Sequence, residues 1–170
     1  GLRVQVREIR VQGNSVLPAS VLAETTAPFL GRVLDSDDLE TLRTGLMGLY
    51  IQAGYVNTRV ELPDQDLTQG VLQVGVMEGR LEKVLVKGEG HYRARYLEDR
   101  LEGMEGEPLN AYVLERRLRA LEQERGIRML RARLLPGTRP GEAILEVDVV
   151  ESTERAMDAL RQHDYHAVFS

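Results

Sequence analysis

An α+β fold built from two tandem β-α-α-β-β units is what this 170-residue sequence predicts. Three observations predict it. The apolar pattern of the first half starts again at Arg80, at an offset of 75 residues as from Val6 to Leu81, and a tandem period marks repeated supersecondary units. Each half opens and closes on runs with two-residue alternation, the period of a strand. Between those runs lie segments with helical spacing that begin on capping residues and stop on glycine.

The first unit begins with a strand from Leu2 to Val11. Leu2, Val4 and Val6 alternate, but Ile9 and Val11 are out of step with them, so a bulge or bend near Arg7-Glu8 is expected to repair the register. Gly13-Asn14-Ser15 ends the strand. Pro18 suits the first turn of a helix, whose apolar side is Val21, Leu22 and Phe29 and whose stop is Gly31. Asp35-Ser36-Asp37-Asp38 starts a second helix, with side-chain caps and negative charge at the positive end of the helix dipole. Leu39, Leu42, Leu46, Leu49, Tyr50 and Ala53 form its stripe, and Gly54 closes it. A strand follows over Tyr55 to Leu62, with Val56, Thr58, Val60 and Leu62 on one face and Tyr55, Asn57, Arg59 and Glu61 on the other. The stretch Leu62 to Gly79 then reads as a Pro/Asp/Gly-rich turn, a last strand over 70–77 and a Glu78-Gly79 stop. In that strand Leu72, Val74 and Val76 oppose Val71, Gln73 and Gly75.

The second unit repeats the order. Leu81, Val84 and Val86 reproduce Val6, Ile9 and Val11, phase break included. Gly88 matches Gly13, Tyr96-Leu97 match Val21-Leu22, and Gly106 matches Gly31. Asn110 caps a helix with the stripe Leu114, Leu118 and Leu121, and Gly126 closes it. Ile127 to Leu135 is a strand, Pro136 to Gly141 a turn, and Leu145, Val147 and Val149 face one side of a final strand ending at Glu151. The expected domains are therefore 1–79 and 80–151, with 152–170 a tail of unknown role. In that tail Glu154 to Gln162 could form a short helix.

Composition narrows the function classes. Net charge is −5, which argues against a general nucleic-acid binder. The charge is uneven: residues 1–79 carry 6 Arg/Lys against 10 Asp/Glu, and residues 80–151 carry 14 against 14. The absence of cysteine excludes a disulfide framework, a thiol nucleophile and a Cys-ligated metal. No apolar run approaches the roughly 18 residues of a membrane-spanning helix. The chain opens directly on a strand and reads as a mature or excised segment.

Enzymatic readings are weak. Asp35, Asp37 and Asp38 are explained by a helix start before a metal site. His163 and His166 have helical metal-ligand spacing without a third ligand, and His91 stands alone in a loop. Gly88-Glu89-Gly90 lacks the rest of a phosphate-binding loop. No catalytic residue, metal site or cofactor is expected.

Several local patterns carry a family likeness. They are Val6-x-x-Ile9-x-Val11-x-Gly13-Asn14, Asp38-Leu39 leading to Tyr50-Ile51-Gln52-Ala53-Gly54-Tyr55-Val56, Leu62-Pro63-x-Gln65-Asp66, Gly70-Val71-Leu72 and Glu78-Gly79. Together they resemble the first POTRA (polypeptide-transport-associated) domain of two-partner secretion outer-membrane transporters, in the Omp85 superfamily. Leu97, Pro108-Leu109-Asn110, Leu114-Glu115, Leu118, Leu121, Pro136-Gly137 and Pro140-Gly141 resemble the second domain of that family. The likeness spans about residues 2–151, and its most specific part is the Pro-x-Gln-Asp turn.

The resemblance implies two POTRA domains, each a three-stranded mixed sheet with two helices on one face. It implies the periplasmic part of a Gram-negative outer-membrane protein. Such a module receives an unfolded secreted exoprotein bearing an N-terminal secretion domain and feeds it to a C-terminal membrane β-barrel of the same polypeptide. After Glu151 the sequence shows none of the repeated alternating strands of a barrel. The resemblance implies no cofactor, no enzyme and no nucleic-acid partner. Two other readings compete. One is the POTRA pair of a barrel-assembly factor. The other is a KH-like nucleic-acid-binding module, against which the arginine-rich region counts, since acidic residues balance it.

Candidate client-binding residues follow from the edges of such a sheet, to which an extended client can add as a strand. In the POTRA pattern the middle strand lies at an edge, so Tyr55, Asn57, Arg59 and Glu61 in the first domain are candidates. In the second domain the counterpart strand carries Arg131 and Arg133, near Arg116, Arg117 and Arg119 of the helix and Arg128. If helix and strand line one groove, Arg116, Arg119, Arg131 and Arg133 are placed to hold client carboxylates or carbonyls. The plainer reading is a solvated face paired with Glu115, Glu122 and Glu124, and edges shielded by Arg59, Arg131 and Arg133.

Overall fold

The computed structural model describes residues 1–88, 91–124 and 127–151, with the side chains at 91–93, 102, 128, 129, 150 and 151 outside that description. The expected features at Glu89-Gly90, the His91 side chain, Gly126, the Arg128 side chain and the tail with His163 and His166 lie outside the described residues. The chain forms two compact units. Of the described residues, one unit takes Gly1–Arg80 with Pro108–Ala111, and the other takes those of Leu81–Glu107 with those from Tyr112 to Glu151.

The first unit starts with β1 (Arg3–Val6) and β2 (Glu8–Gln12). The phase break at Arg7 is larger than the expected bulge, because β1 and β2 belong to different sheets. β1 pairs antiparallel with β3 (Arg32–Asp35), a strand that the sequence reading did not contain. Regular two-residue alternation cannot put Val6 and Ile9 on one face, and in this unit the chain resolves the mismatch by cornering from one sheet into another. Val6 and Leu34 are fully buried. The chain corners at Arg7, where the N–H groups of Arg7 and Glu8 both donate to the Gly70 carbonyl, at 2.8 and 3.2 Å. β3 escaped notice because it is four residues long and only Leu34 is buried.

Helix α1 (Ala19–Thr26) follows Pro18 and runs into a 3-10 turn at Ala27–Phe29. Helix α2 (Ser36–Gln52) starts on a capping box. Asp35 Oδ1 accepts from the Asp38 N–H at 2.8 Å, and Asp38 Oδ2 accepts from the Asp35 N–H at 3.0 Å. The Asp35 N–H holds the Asp38 carboxyl below the usual carboxylate range. Leu39, Leu42, Leu46 and Tyr50 recur at helical spacing and are buried, as the stripe predicts.

β4 (Arg59–Glu61) and β5 (Val71–Met77) complete a three-stranded sheet of order β2-β5-β4. β2 runs parallel to β5, and β4 antiparallel to it, so the sheet is mixed. Leu72, Val74 and Val76 point into the core with Val60. The expected strand Tyr55–Leu62 thus shrinks to three residues. At one end Arg59 pairs with Met77, where β5 stops, so residues before Arg59 have no ladder partner. They form a turn instead: Tyr55 N–H donates to the Tyr50 carbonyl at 2.8 Å and Thr58 N–H to the Tyr55 carbonyl at 3.3 Å. Val56, expected to share a face with Val60, is 46% exposed where Val60 is buried.

The second unit contains β6 (Arg80–Gly88, counted from Leu81), α3 (His91–Glu102), α4 (Ala111–Glu122, counted from Tyr112), β7 (Ile127–Pro136) and β8 (Glu142–Glu151). Its sheet has the order β6-β8-β7, the same topology as β2-β5-β4. Leu81, Leu97, Leu101, Leu145 and Val147 are buried to 1% exposure or less. Here the phase break sits inside one unbroken strand, with Leu81 and Val84 both buried.

The repeat is visible in the backbone. Gly31 N–H donates to the Val6 carbonyl at 2.8 Å, and Gly106 N–H donates to the Leu81 carbonyl at 2.9 Å, both pairs displaced by 75 residues. Gly13 and Gly88 lie under the central strands: a Cβ there would stand 2.0 Å from the Val76 carbonyl oxygen and 2.6 Å from that of Val149. Only glycine allows so close an approach of two backbones.

Candidate functional site

The motif residues between Leu62 and Gly79 are structural. β4 ends where Glu61 pairs with Gly75, and the next ladder position would set residue 63 against Gln73. Residue 63 is proline and has no N–H to give. The Gln65 carboxamide takes its place. Its Nε2 donates to the Gln73 carbonyl at 2.9 Å and its Oε1 accepts from the Gln73 N–H at 2.6 Å. The same Nε2 lies 3.0 Å from the Pro63 carbonyl. A side chain thus completes β5 where the main chain cannot. Asp66 Oδ1 then accepts from the Thr68 N–H at 2.9 Å, which closes the turn and holds the Asp66 carboxyl below its ordinary range.

The Glu78-Gly79 stop is equally structural. Glu78 accepts from the Ser15 N–H at 2.5 Å and from the Ser15 hydroxyl at 2.8 Å. Beside it, Asn14 Oδ1 accepts from the Tyr50 hydroxyl at 2.8 Å and from the Leu17 N–H at 3.1 Å. Tyr50 is fully buried, and burial, with the Glu78 charge adding to it, pushes its hydroxyl up to about 12. A Cβ on Gly79 would stand 2.3 Å from the Asn57 carbonyl oxygen and 2.6 Å from its Nδ2. The Gly13-Asn14, Tyr50 and Glu78-Gly79 patterns therefore belong to one polar girdle around the end of α2.

The two middle strands both lie at sheet edges, but the edges differ. Of the four first-unit candidates, only Arg59 and Glu61 stand on β4. Tyr55 and Asn57 lie in the turn before it, half-buried. The Arg43 guanidinium, held at 2.5 Å by Glu40, reaches the Val60 carbonyl at 3.5 Å, so a side chain already covers the middle of β4.

β7 is ten residues long and pairs with β8 along most of its length, with an irregularity between Ile127 and Met129. The Leu130 N–H donates to Glu122 Oε1 of α4 at 3.2 Å, so it points away from β8. In an antiparallel ladder the outward groups alternate. Ala132 and Leu134 therefore also present their N–H and C=O outward, while Arg131 and Arg133 face their partners Asp148 and Glu146. Ala132 is exposed and Leu134 is 39% exposed. Among the described residues no other group meets these four backbone atoms.

The arginines do not converge on one groove. Arg133 Nε and Nη2 donate to Glu146 Oε1 at 3.0 and 2.7 Å, on the sheet face opposite Leu145 and Val147, which fill the core. Lys87 Nζ stands 3.2 Å from the other Glu146 oxygen. Hydrogen bonds from Arg133 and then Lys87 hold the Glu146 carboxyl below its usual range. Helix α4 buries Leu114 and Leu121 against the core side. Its exposed Arg116 and Arg119 thus lie across the sheet from Arg131 and Arg133, with Arg119 paired to Glu115. Helix and strand of the second unit offer two separate cationic surfaces.

Sequence reasoning missed Gln65 as a strand surrogate, Glu122 as an edge cap and Glu146 as the buried anchor of Arg133. The first had a signal: a proline one step past a strand end, followed two residues later by a carboxamide. Among the described residues no three His, Cys, Asp or Glu side chains group to hold a metal ion, and no helix is long and apolar enough to cross a membrane.

Comparison with known proteins agrees with this geometry. A family model described as POTRA domain, ShlB-type, matches residues 4–79. The outer membrane transporter CdiB of Dickeya dadantii is 30% identical over 142 residues, 84% of this chain and 25% of that protein. The hemolysin transporter protein ShlB of Serratia marcescens is 31% identical over 142 residues, 82% of this chain and 24% of that protein. The solved structure of CdiB from Escherichia coli superposes with a TM-score of 0.75 at 29% identity, covering 89% of this chain and 28% of that one. The chain spans about a quarter of the length of the curated relatives it matches.

Proposed function

Because this chain carries a ShlB-type POTRA domain at residues 4–79 and is related to outer membrane transporters, we propose that it is the periplasmic substrate-recognition part of a two-partner secretion transporter. It binds an unfolded secreted exoprotein by strand addition at a sheet edge and passes it to a membrane β-barrel of the same polypeptide. The observation that carries the reading is the open edge of β7, where Ala132 and Leu134 offer backbone donors and acceptors with no partner among the described residues.

The energetics suit a client that must be released. Four backbone hydrogen bonds at about 0.5–1.5 kcal/mol net each give roughly 2–6 kcal/mol. Ordering an unfolded client takes back about 2–5 kcal/mol or more. Binding through the backbone of this edge alone is therefore about millimolar at best, and side-chain contacts must supply any tighter binding. Arg59 and Glu61 on β4 are secondary candidates, since three residues and one covered carbonyl leave little edge to extend.

The test is amide hydrogen exchange of residues 1–170 with and without the N-terminal secretion domain of a two-partner exoprotein. Slower exchange at Ala132 and Leu134, with Arg59 to Glu61 unchanged, is expected. Binding without protection at either edge refutes strand addition. Failure to bind the secretion domain, together with binding of a nascent outer-membrane barrel protein, transfers the module to barrel assembly.

A further inference from the structure

The two faces of β7 are chemically opposite, and we infer that its edge selects client segments in which acidic and apolar residues alternate. This rests on the strand-addition reading above and adds the chemistry of the segment.

The residues whose backbone points outward, Ala132 and Leu134, put their side chains on the core-facing side of the sheet. Both side chains are exposed there because β7 is the last strand. The intervening residues, Arg131 and Arg133, put theirs on the opposite face, where both are exposed. An added strand runs in the same pleat, so its side chains alternate between the same two faces. Directly opposite positions bring Cβ atoms within roughly 4.5–5.5 Å. One set of client side chains therefore lies against Ala132 and Leu134, and the other beside the two guanidiniums.

The first set gains by being apolar. Leu134 is 39% exposed in the free protein, and an apolar neighbour removes that surface from water. The second set gains by being acidic. Arg131 faces Asp148 across the ladder but makes no ion pair with it. Arg133 uses Nε and Nη2 on Glu146, whose charge Lys87 shares, so Nη1 of Arg133 remains for an incoming carboxylate. Lys87, Arg131 and Arg133 against Glu146 and Asp148 leave this face with one excess positive charge, counted over those five residues. A client strand with lysine at these positions meets that excess and is disfavoured. β4 shows no such pattern: Arg59 and Glu61 share a face and carry opposite charges.

The experiment uses residues 1–170 and three fluorescent nine-residue peptides. One alternates Glu with Val, one alternates Lys with Val, and one has the Glu/Val composition with the glutamates grouped at one end. The alternating Glu/Val peptide is expected to bind tightest, roughly three- to ten-fold above the other two, as two exposed ion pairs would give. It is also expected to slow amide exchange at Ala132 and Leu134. Arg131→Glu, which removes no ion pair among the described residues, is expected to erase or invert the preference between the Glu and Lys peptides, and Arg131→Ala to flatten it. Equal affinity of the three peptides with protection at Ala132 and Leu134 overturns the selectivity and leaves strand addition standing. Binding without that protection overturns the edge itself.

Discussion

Replacing Gln65 by alanine removes the side chain that completes the central strand of the first unit. Its carboxamide makes two hydrogen bonds to the backbone of Gln73, at 2.6 and 2.9 Å, in a partly buried position. Each bond lost at such a site costs about 0.5–1.5 kcal/mol, and a buried group left unpaired costs more. The expected destabilisation is therefore about 1–3 kcal/mol. For a unit of this size that lowers Tm by roughly 4–20 °C. Chemical denaturation of wild type and variant measures the loss, and amide exchange at Gln73 locates it. Gln65→Glu separates the two bonds: the carboxylate still accepts from the Gln73 N–H but has nothing to donate to the Gln73 carbonyl. It should lose stability while leaving the Gln73 amide protected. A loss below about 0.5 kcal/mol for Gln65→Ala, with Gln73 exchange unchanged, would refute the view that this side chain acts as a strand.

Tyr50 gives a pH-dependent prediction. Its hydroxyl is pushed up to about 12, so the folded state favours the protonated form. The stability tied to that form is complete below the ordinary tyrosine value of about 10 and is lost as pH rises from there through about 12. Alkaline denaturation followed by phenolate absorbance should show it, and Tyr50→Phe should lower stability at neutral pH by about 1 kcal/mol through loss of the bond to Asn14 while removing this alkaline step. Gly79→Ala should be destabilising, because its Cβ would fall 2.3 Å from the Asn57 carbonyl oxygen. A forced core or turn adjustment of that kind costs about 1–3 kcal/mol, read as a lowered thermal midpoint.

The order of elements was legible because each boundary carries its own local chemistry. Asp35 and Asp38 cap α2 through their own side chains, and Leu39, Leu42, Leu46 and Tyr50 repeat at the helical period. Such signals need no knowledge of distant residues. The middle strands lie at edges, as the resemblance implied, but the extent of each edge was not legible, because it depends on where the neighbouring strand stops. Tyr55 to Leu62 alternates well as a sequence, yet only Arg59–Glu61 is strand, since β5 stops at Met77. Val6 and Ile9 signalled a break in register, but not that β1 would leave for a second sheet with β3. The arginine cluster failed for a related reason. Sequence proximity placed Arg119 and Arg131 together, whereas the pleat puts Arg131 and Arg133 on the far side of the sheet from α4.

The divergence between the two units is where function is best sought. Both keep the glycine bonds to Val6 and Leu81, so the scaffold tolerates little change there. They differ in the length of the central strand: β5 has seven residues and β8 has ten. That difference fixes the edge strand. β8 continues to Glu151 and supports β7 back to Ile127, and the turn 137–141 is tight enough that Pro136 still pairs with Ala143. In the first unit Pro63 stands at the equivalent turn, but there the chain leaves the ladder after Glu61 and Gln65 fills the place. On the proposed strand-addition role, an added strand needs several outward amides at every second residue of one edge. Of the two middle strands, β7 is the longer and, among the described residues, keeps uncovered outward groups at Ala132 and Leu134, so on the strand-addition role proposed above shortening β8 is expected to weaken client binding more than any change in the first unit's turn.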